Sequence, residues 1–355
     1  MSRGWQLLLL LTLRPGLAAQ DESPTVPLVP LEVSRVVTVP GSPFAEGLIH
    51  PVMCDSEGNL YVRPAPPLVT SASRVLKVSP DGQANAIFSV EKISGFPPRR
   101  TEITDFAIGS NGEVYLLVRK CKDQRCDPTI LVFAPDGSYR SAIKLDRAID
   151  PARLAVFDNG SFLLTGFEEA APRRKDTNPP RRRPFTAIFD ASGRFVSDVT
   201  LPKDAAALTS AGARDNDARE NARREAVQLG LVAARKGSIY VVRHSTNPLV
   251  YEISPSGQVV RTIEIAAPTE NSWPMDLRFA DNGLLVVEFN EKLGEGGWDV
   301  ANAILSLVDS RTGTRIIDYR SSRNLGIFGC YTGNALSFIA TDTNGRSVLR
   351  YATIR

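Results

Sequence analysis

The sequence has few of the residues from which most metal and catalytic centres are built. It contains two histidines, His50 and His244, and four cysteines in 355 residues, so a zinc site made of three histidines is excluded. It has no glycine-rich phosphate loop, no Cys/His cluster with metal-ligand spacing and no Gly-x-Ser-x-Gly motif. The sequence therefore lacks the signatures of the common nucleotide-binding, zinc-binding and serine-hydrolase classes.

A large charge of one sign and a long apolar run are missing as well. The formal net charge is +3 at pH 7, which gives no reason to expect a nucleic-acid partner. The apolar stretch Leu7 to Leu13 follows Arg3 and precedes small residues, and it is shorter than the roughly 20 residues that span a bilayer. This pattern is typical of a cleaved signal peptide, here residues 1–19. It predicts a secreted or periplasmic protein without a transmembrane segment, in which residues 20–30 form an extended proline-rich leader.

One short pattern recurs six times along the rest of the chain. An apolar run leads into a small polar turn that contains glycine, and a second apolar run follows. The glycines of these turns are Gly58, Gly112, Gly160, Gly237, Gly283 and Gly333. Five of the six repeats have a second turn, at Gly82, Gly137, Gly193, Gly257 and Gly313. A repeat of roughly 40–50 residues is typical of a propeller or solenoid. The sequence therefore predicts an all-β protein, a six-bladed β-propeller of four-stranded blades, as a single domain over residues 31–355.

The sixth repeat has room for only three strands before the sequence ends. The missing strand is available at 33–39, a β-rich segment that precedes the first repeat and has no partner there. Pairing this segment with the last blade would close the ring and remove two exposed sheet edges. We therefore expect ring closure by an N-terminal strand.

The four cysteines fit an exported protein. Cys121 and Cys126 are separated by four residues, whereas Cys54 and Cys330 lie near the turns of the first and last repeats. The even count and this placement permit two disulfides: the local Cys121–Cys126 bridge is the favoured one, and a Cys54–Cys330 bridge across the ring closure is one of the pairings left open. Other pairings of four cysteines, and buried free thiols, are the alternatives.

The strand order of a four-stranded meander sorts the connections between two faces of the disc. The a–b and c–d turns lie on one face, the tight-turn face, and all of them are short. The b–c and d–a connections lie on the other, the long-loop face, and they are long and irregular, among them Arg119–Thr129 and two charged insertions at 168–184 and 203–226. Insertions on one face of a repeat protein mark a binding face, although loops also tolerate insertions without function. The first insertion carries a net +3 and is either a site for an anionic partner or a solvated loop, and the second contains the only helix candidate.

The sequences of the repeats resemble those of a known group of proteins. Gly237-Ser-Ile-Tyr-Val-Val, followed by Leu249-Val-Tyr-Glu-Ile-Ser-Pro-Ser-Gly257, resembles the NHL-type repeat, as does Gly58-Asn-Leu-Tyr-Val followed by Val75-Leu-Lys-Val-Ser-Pro-Asp-Gly82. Over 31–355 the chain is similar to six-bladed propellers related to NHL, TolB and gluconolactonase-like proteins. The resemblance implies, as one possibility, an axial divalent cation and lactonase-like hydrolase or lyase activity. The aspartate that often follows strand b in the group is replaced here by Pro64, Arg243 and Glu288 in three of the repeats.

Polar residues near the starts of the innermost strands are the candidates for chemistry, because these positions face the central channel. Glu102, Asp105, Asp276 and Asn324 could supply the oxygen ligands that calcium or another divalent cation prefers. The alternative is that each of them caps a strand or binds loop backbone.

Five further residues complete the candidate set. His50 is a possible general base or a structural residue. Arg153 points towards the channel, and Arg243 with His244 could bind an anion. Trp273 could stack on a sugar or pack in the core.

No residue set in the sequence requires catalysis. The sequence therefore predicts a monomeric binding or interaction module that holds a protein, small-molecule or carbohydrate partner on its long-loop face, with no nucleic-acid partner and with calcium as a possible cofactor. The alternative is a lactonase-like hydrolase or lyase with an axial divalent cation. Metal analysis would separate the two.

Overall fold

The computed structural model describes residues 26–65, 74–122, 125–169, 182–201, 232–235, 237–243, 247–270, 272–280, 283–292, 300–322 and 325–354. These residues form twenty-five β-strands in six sheets, and their helical content is one 3₁₀ turn, Pro98–Arg100. No helix among the described residues is long and apolar enough to cross a membrane. The sheets are the blades of a six-bladed β-propeller, as the repeats predict.

The first three blades follow each other along the chain. Blade 1 contains β3 (Leu48–Cys54), β4 (Leu60–Pro64), β5 (Arg74–Val78) and β6 (Ala84–Ser89). Blade 2 contains β7 (Thr101–Ile108), β8 (Val114–Lys122), β9 (Arg125–Phe133) and β10 (Tyr139–Lys144). Blade 3 contains β11 (Asp150–Val156), β12 (Phe162–Glu169), β13 (Arg182–Phe189) and β14 (Phe195–Asp198).

The other three blades repeat the arrangement, with additions from the N-terminal segment. Blade 4 contains β15 (Val232–Arg235), β16 (Ser238–Arg243), β17 (Leu249–Ile253) and β18 (Val259–Glu264). Blade 5 contains β19 (Ser272–Phe279), β20 (Leu285–Lys292), β21 (Val300–Val308), β22 (Arg315–Ser322) and, at its outer edge, β1 (Leu28–Pro30). Blade 6 contains β23 (Ile327–Thr332), β24 (Ala335–Thr341), β25 (Ser347–Thr353) and β2 (Val33–Thr38).

The N-terminal segment closes the ring, as predicted. β2 pairs antiparallel with β25, with Val36 opposite Arg350. The Arg35 guanidinium lies 4.0 Å from the centre of the Tyr351 ring, and the Tyr351 hydroxyl donates to the Pro80 carbonyl of blade 1 over 2.9 Å. The end of the proline-rich leader is also extended, but it is not free of the domain, since β1 pairs in parallel with β22. Residues 26–38 thus join two blades.

The long-loop face carries extended hairpins as well as loops. The predicted irregular connection Arg119–Thr129 is wrong, because β8 and β9 continue through it and place Cys121 opposite Cys126. β12 and β13 likewise continue to Glu169 and Arg182, so that the insertion 168–184 begins and ends as a strand pair. Residues 170–181 of that insertion, and the predicted helix around Ala211–Gln228, lie outside the described residues.

The core consists of one apolar cluster between each pair of neighbouring blades. Alternation along strand b divides its residues between two clusters: Tyr61 packs towards blade 2, whereas Leu60 and Val62 pack towards blade 6. Each blade buries both faces in this way, which explains why its b and c strands have few exposed residues. No blade could bury its faces alone.

Glycines in the c–d turns bring the blades close together. A Cβ on Gly137 would lie 2.7 Å from the carbonyl oxygen of Ile87, on the outermost strand of blade 1. Gly82, Gly193, Gly257 and Gly313 face the outermost strand of the preceding blade in the same way. The repeated glycine is therefore needed for contact between blades as well as for the turn.

The structure contains a disulfide across the closure, which the sequence left as one of several pairings. Cys54 and Cys330 are joined with a Cα–Cα distance of 5.7 Å, and they connect the innermost strands of blades 1 and 6. Cys121 also takes part in a disulfide, and its backbone faces Cys126, whose side chain lies outside the description. The described residues contain no free cysteine.

Candidate functional site

A layer of charged side chains crosses the central channel. The axial charge layer consists of His50, Arg63, Asp105, Arg153, Asp276 and Arg278, contributed by blades 1, 2, 3 and 5. His50 interacts electrostatically with Asp276, Arg278, Arg153 and Arg63, which places residues from three blades around one imidazole. The sequence predicted four of the six members as site residues: His50, Asp105, Arg153 and Asp276.

Bulges in the innermost strands set the positions of several of these side chains. The pairing register shifts between Ile103 and Asp105 in β7, between Pro151 and Arg153 in β11, and between Pro274 and Asp276 in β19. Asp105, Arg153 and Asp276 are the first paired residues after the shifts. A bulge redirects the side chains around it and is common next to functional sites.

Asp105 ties three blades together. Its Oδ2 accepts a hydrogen bond from the Leu154 amide over 2.8 Å, and Arg153 Nη1 lies 3.8 Å from its Oδ1. Arg63 donates to the Ile103 carbonyl over 2.5 Å and to the His50 carbonyl over 3.1 Å. Asp105 is fully buried, and burial raises the pKa of its carboxyl while Arg153, the Leu154 amide and Arg63 oppose that shift.

Blade 5 places two carboxyl groups side by side. Asp276 and Glu288 are direct partners across β19 and β20, and Asp276 forms an ion pair with Arg278. Burial, reinforced by the Asp276 charge and opposed by Arg278, raises the pKa of Glu288 to about 8. Glu288 is therefore largely protonated at pH 7 and can donate a hydrogen bond.

A cavity of about 430 Å³ opens on the long-loop face between blades 5, 6 and 1. Its polar lining comes from His50, Glu288, Asn290, Ser321 and Thr341. The other lining residues are Phe44, Gly47, Leu48, Met275, Ala303, Gly326, Ile327, Ile339 and Ala340. This is the long-loop cavity.

His50 lines this cavity and keeps an exposed surface, while protein groups surround much of its imidazole. The loss of solvent around the imidazole lowers the pKa of His50; Asp276 opposes the shift, and Arg278, Arg153 and Arg63 add to it. The neutral imidazole is therefore the dominant form at pH 7. Of the predicted site residues, His50 is the one that lines the long-loop cavity.

The remaining predicted site residues lie elsewhere. Glu102 is exposed and pairs with Arg119 over 2.8 Å. Arg243 is buried and donates to Thr186 Oγ1 over 3.1 Å, between blades 4 and 3. Trp273 is partly buried, and its indole donates to the sulfur of Met275 over 3.1 Å. His244 and Asn324 lie outside the described residues.

The predicted cation ligands face arginines in this structure. Asp105, Asp276 and Glu102 interact with Arg153, Arg278 and Arg119 respectively. Within the described ranges, no group of three or more His, Cys, Asp and Glu side chains is arranged to hold a metal ion. Each of these three carboxylates thus lies beside a guanidinium.

Sequence reasoning missed Arg63, Arg278 and Glu288 as site residues. Each of them interrupts an apolar strand: Arg63 follows Leu60-Tyr-Val, and Glu288 lies within Leu285-Val-Val-Glu-Phe. A charged residue within a buried apolar strand is unusual and needs a partner. That signal is visible in the sequence, although the partners are not.

Comparison with known proteins supports the fold alone. No family model matches the chain, and no curated protein matches it. A solved structure of a protein of unknown function from Dyadobacter fermentans DSM 18053 is 10% identical, with 92% of this chain and 99% of that chain covered and a TM-score of 0.53. A protein of unknown function from Bacteroides caccae is 13% identical over 76% of this chain and 80% of that chain, with a TM-score of 0.40. YCF48 bound to D1 peptide is 11% identical over 93% of this chain and 98% of that chain, with a TM-score of 0.42.

At these identities the similarity concerns the propeller architecture. The finer resemblance to the NHL, TolB and gluconolactonase-like group stays a prediction from the sequences of the repeats.

Proposed function

We propose that this protein is an exported binding module whose long-loop cavity holds a small, uncharged, polar molecule such as a monosaccharide. The observation that carries the proposal is the cavity itself. A concave space of several hundred Å³ with mainly apolar walls and a few convergent polar groups is the usual form of a small-molecule site. It opens on the face that the sequence singles out by its insertions.

The lining determines the chemistry of the ligand. Among the residues that the structure describes, the lining contains no lysine, arginine or aspartate, and its two titratable groups there, His50 and Glu288, are mainly uncharged at pH 7. A charged ligand would lose its hydration here without gaining a counter-charge, which is costly. Hydroxyl groups, in contrast, can both donate to and accept from His50, Glu288, Asn290 and Ser321. The apolar walls can cover the C–H faces of a sugar ring.

Export is the second part of the proposal. The N-terminal pattern of the sequence supports it, and so does the Cys54–Cys330 disulfide, because such bonds persist in oxidising compartments. The proposal therefore places the protein in the periplasm or outside the cell.

Ligand-observed NMR tests the cavity directly. Saturation-transfer spectra are recorded at pH 7 with D-glucose, D-galactose, D-mannose and N-acetyl-D-glucosamine. We expect at least one of these sugars to bind the wild-type protein. Ala303→Phe, which places a ring in the cavity, should abolish the signal.

Ala142→Phe is the matched control, because Ala142 is exposed on the outer strand β10. It should bind like the wild type. Absence of binding by all four sugars, or unchanged binding by a folded Ala303→Phe variant, would contradict the proposal.

A further inference from the structure

Two proton-carrying side chains of the long-loop cavity come from different blades. His50 lies on β3 of blade 1, Glu288 lies on β20 of blade 5, and both line the same space. Asp276 is the cross-strand partner of Glu288, and its charge also acts on His50. The imidazole and the carboxyl group therefore face one cavity and share a neighbouring carboxylate.

The two groups hold their protons in complementary states. At pH 7 the imidazole is mainly neutral and can accept a proton, whereas the Glu288 carboxyl is mainly protonated and can donate one. A base and an acid that face the same space are what general acid–base catalysis requires. Charged groups on β19, β11 and β4 act on this pair: Asp276 and Arg278 on both members, and Arg153 and Arg63 on the imidazole.

The lining limits the reaction that such a pair can catalyse on a sugar. Cleavage of a glycosidic bond passes through a cation-like sugar ring, which a carboxylate usually stabilises. Within the described part of the lining there is no aspartate, and the glutamate, Glu288, keeps its proton. Opening and reclosing of a sugar ring does not need that carboxylate, because it consists of proton transfers at two oxygens bonded to one carbon. Ring opening is therefore the reaction that fits the pair.

We infer that His50 and Glu288 catalyse the interconversion of the α and β anomers of an aldose bound in the long-loop cavity. The substrate class is aldoses with a free anomeric hydroxyl. Because the reaction needs a sugar in the cavity, the inference rests on the proposed function, to which it adds an activity.

The reaction is balanced without an oxidant, a reductant or a second substrate. In ring opening, His50 takes the proton of the anomeric hydroxyl, a carbonyl forms at C1, and the bond between C1 and the ring oxygen breaks. The electron pair of that bond stays on the ring oxygen, which takes the proton of Glu288. The imidazolium and the carboxylate formed in this way attract each other across the cavity.

Ring closure restores both side chains. The open-chain aldehyde first turns about its C1–C2 bond and presents its other face. The hydroxyl then attacks C1, its proton returns to Glu288, and the imidazolium of His50 gives its proton to the carbonyl oxygen. The product is the opposite anomer, and the protein ends in its starting state.

Polarimetry of freshly dissolved α anomers tests the reaction. D-Glucose, D-galactose, D-mannose and N-acetyl-D-glucosamine are followed at pH 7, and the spontaneous rate is subtracted. For at least one sugar that binds in the saturation-transfer spectra, we expect the wild type to speed the approach to equilibrium in proportion to protein concentration. Ala303→Phe should abolish this acceleration, because the ring keeps the sugar from the pair.

Two variants separate catalysis from binding. Glu288→Gln removes the proton that is donated, and His50→Gln removes the base, while each keeps a polar side chain in the wall. Each should lower the catalysed rate about 100-fold, and the saturation-transfer signal of the sugar should persist. Glu46→Gln is the matched control, since Glu46 is exposed near the same face, and it should behave like the wild type.

The pH profile of the wild type does not depend on any variant. Above about pH 8 Glu288 loses its proton, so kcat/KM should fall about tenfold per pH unit there; in acid it should fall as His50 gains a proton. A purely structural role of the two residues would not produce this profile. If a variant does not fold, the profile decides.

The outcomes distinguish this activity from the proposed function. Absence of binding by all four sugars would overturn both. A sugar that binds without any acceleration would overturn the activity alone. The same holds for unchanged acceleration by folded Glu288→Gln or His50→Gln, and for a kcat/KM that stays level above pH 8.

Discussion

Individual charged residues within apolar strands give this propeller its chemical character. Glu288 lies directly opposite Asp276, and two neighbouring buried carboxyls cannot both ionise cheaply. One of them is paired with Arg278, and the other keeps its proton up to a pKa of about 8. The long-loop cavity thereby contains a carboxylic acid where a carboxylate would be expected.

A pH-dependent cost in stability follows from this residue. The pKa of Glu288 in the folded state is raised above its unfolded value, so the folded state binds the extra proton between about pH 4.5 and 8, and the free energy of unfolding falls as pH rises through that window. Each unit by which folding shifts the pKa corresponds to about 1.4 kcal/mol in the free energy of unfolding. We expect Glu288→Gln to gain stability relative to the wild type between pH 5 and pH 8, by at least about 1 kcal/mol in urea unfolding.

Glu46→Gln is the control for this prediction, because Glu46 is exposed near the same face. Its stability difference from the wild type should stay constant over the same pH range. A constant difference for Glu288→Gln as well would show that Glu288 titrates normally.

For individual residues, the sequence predicted which side chains face the channel better than it predicted their interaction partners. Asp105, Arg153 and Asp276 are members of the axial charge layer because the starts of inner strands face the channel, which follows from topology. Their partners depend on bulges and on which blades meet across the axis, and neither property can be read from one strand. Glu102, which is also acidic and lies in the same strand as Asp105, is exposed and pairs with Arg119.

At the scale of elements, the sequence predicted the turns but not the length of every strand pair. The glycine turns were predictable because glycine tolerates the positive φ that such turns need, and because polar residues stand there between two apolar runs. The long hairpin of β8 and β9 was not, because Asp127 and Pro128 resemble loop residues while their backbone continues the ladder. Tertiary pairing overrides local propensity at such positions.

Two glycine turns provide a matched test of blade contact. Gly137, in the c–d turn of blade 2, and Gly345, in the b–c turn of blade 6, both have positive φ, +89° and +75°, but a Cβ at Gly345 would have no atom within 4 Å. Substitution by alanine strains the backbone at both positions, and only at position 137 does it also push against Ile87. We expect Gly137→Ala to lose about 1–3 kcal/mol more stability than Gly345→Ala in urea unfolding.

Equal losses for the two variants would mean that the turn conformation alone requires glycine. In that case the close approach of the blades would have no energetic role at this position.

At the scale of the whole molecule, the fold was predictable because a repeat is a property of the entire chain. The count of blades and the missing strand led directly to the pairing of β2 with β25. One feature lacked a sequence signal: the added parallel strand β1, whose prolines indicate a leader.

The Cys54–Cys330 disulfide joins residues 276 positions apart. A cross-link over such a long loop restricts the unfolded chain strongly, typically by about 2–4 kcal/mol. We expect the double variant Cys54→Ala with Cys330→Ala to unfold at lower urea concentration by a corresponding amount, while its far-UV circular dichroism stays that of the wild type. Unchanged stability would show that the strand pairing alone holds the closure.

The closure also sets an order of events in folding. β2 is among the first described strands to be synthesised, and its partner β25 is the last. Such a pairing has one of the greatest sequence separations that the chain allows, and contacts of this kind form late and slowly. The ring therefore has an open edge during synthesis, and on an exported chain that edge stays open until residues 347–353 have crossed the membrane, where the disulfide can form.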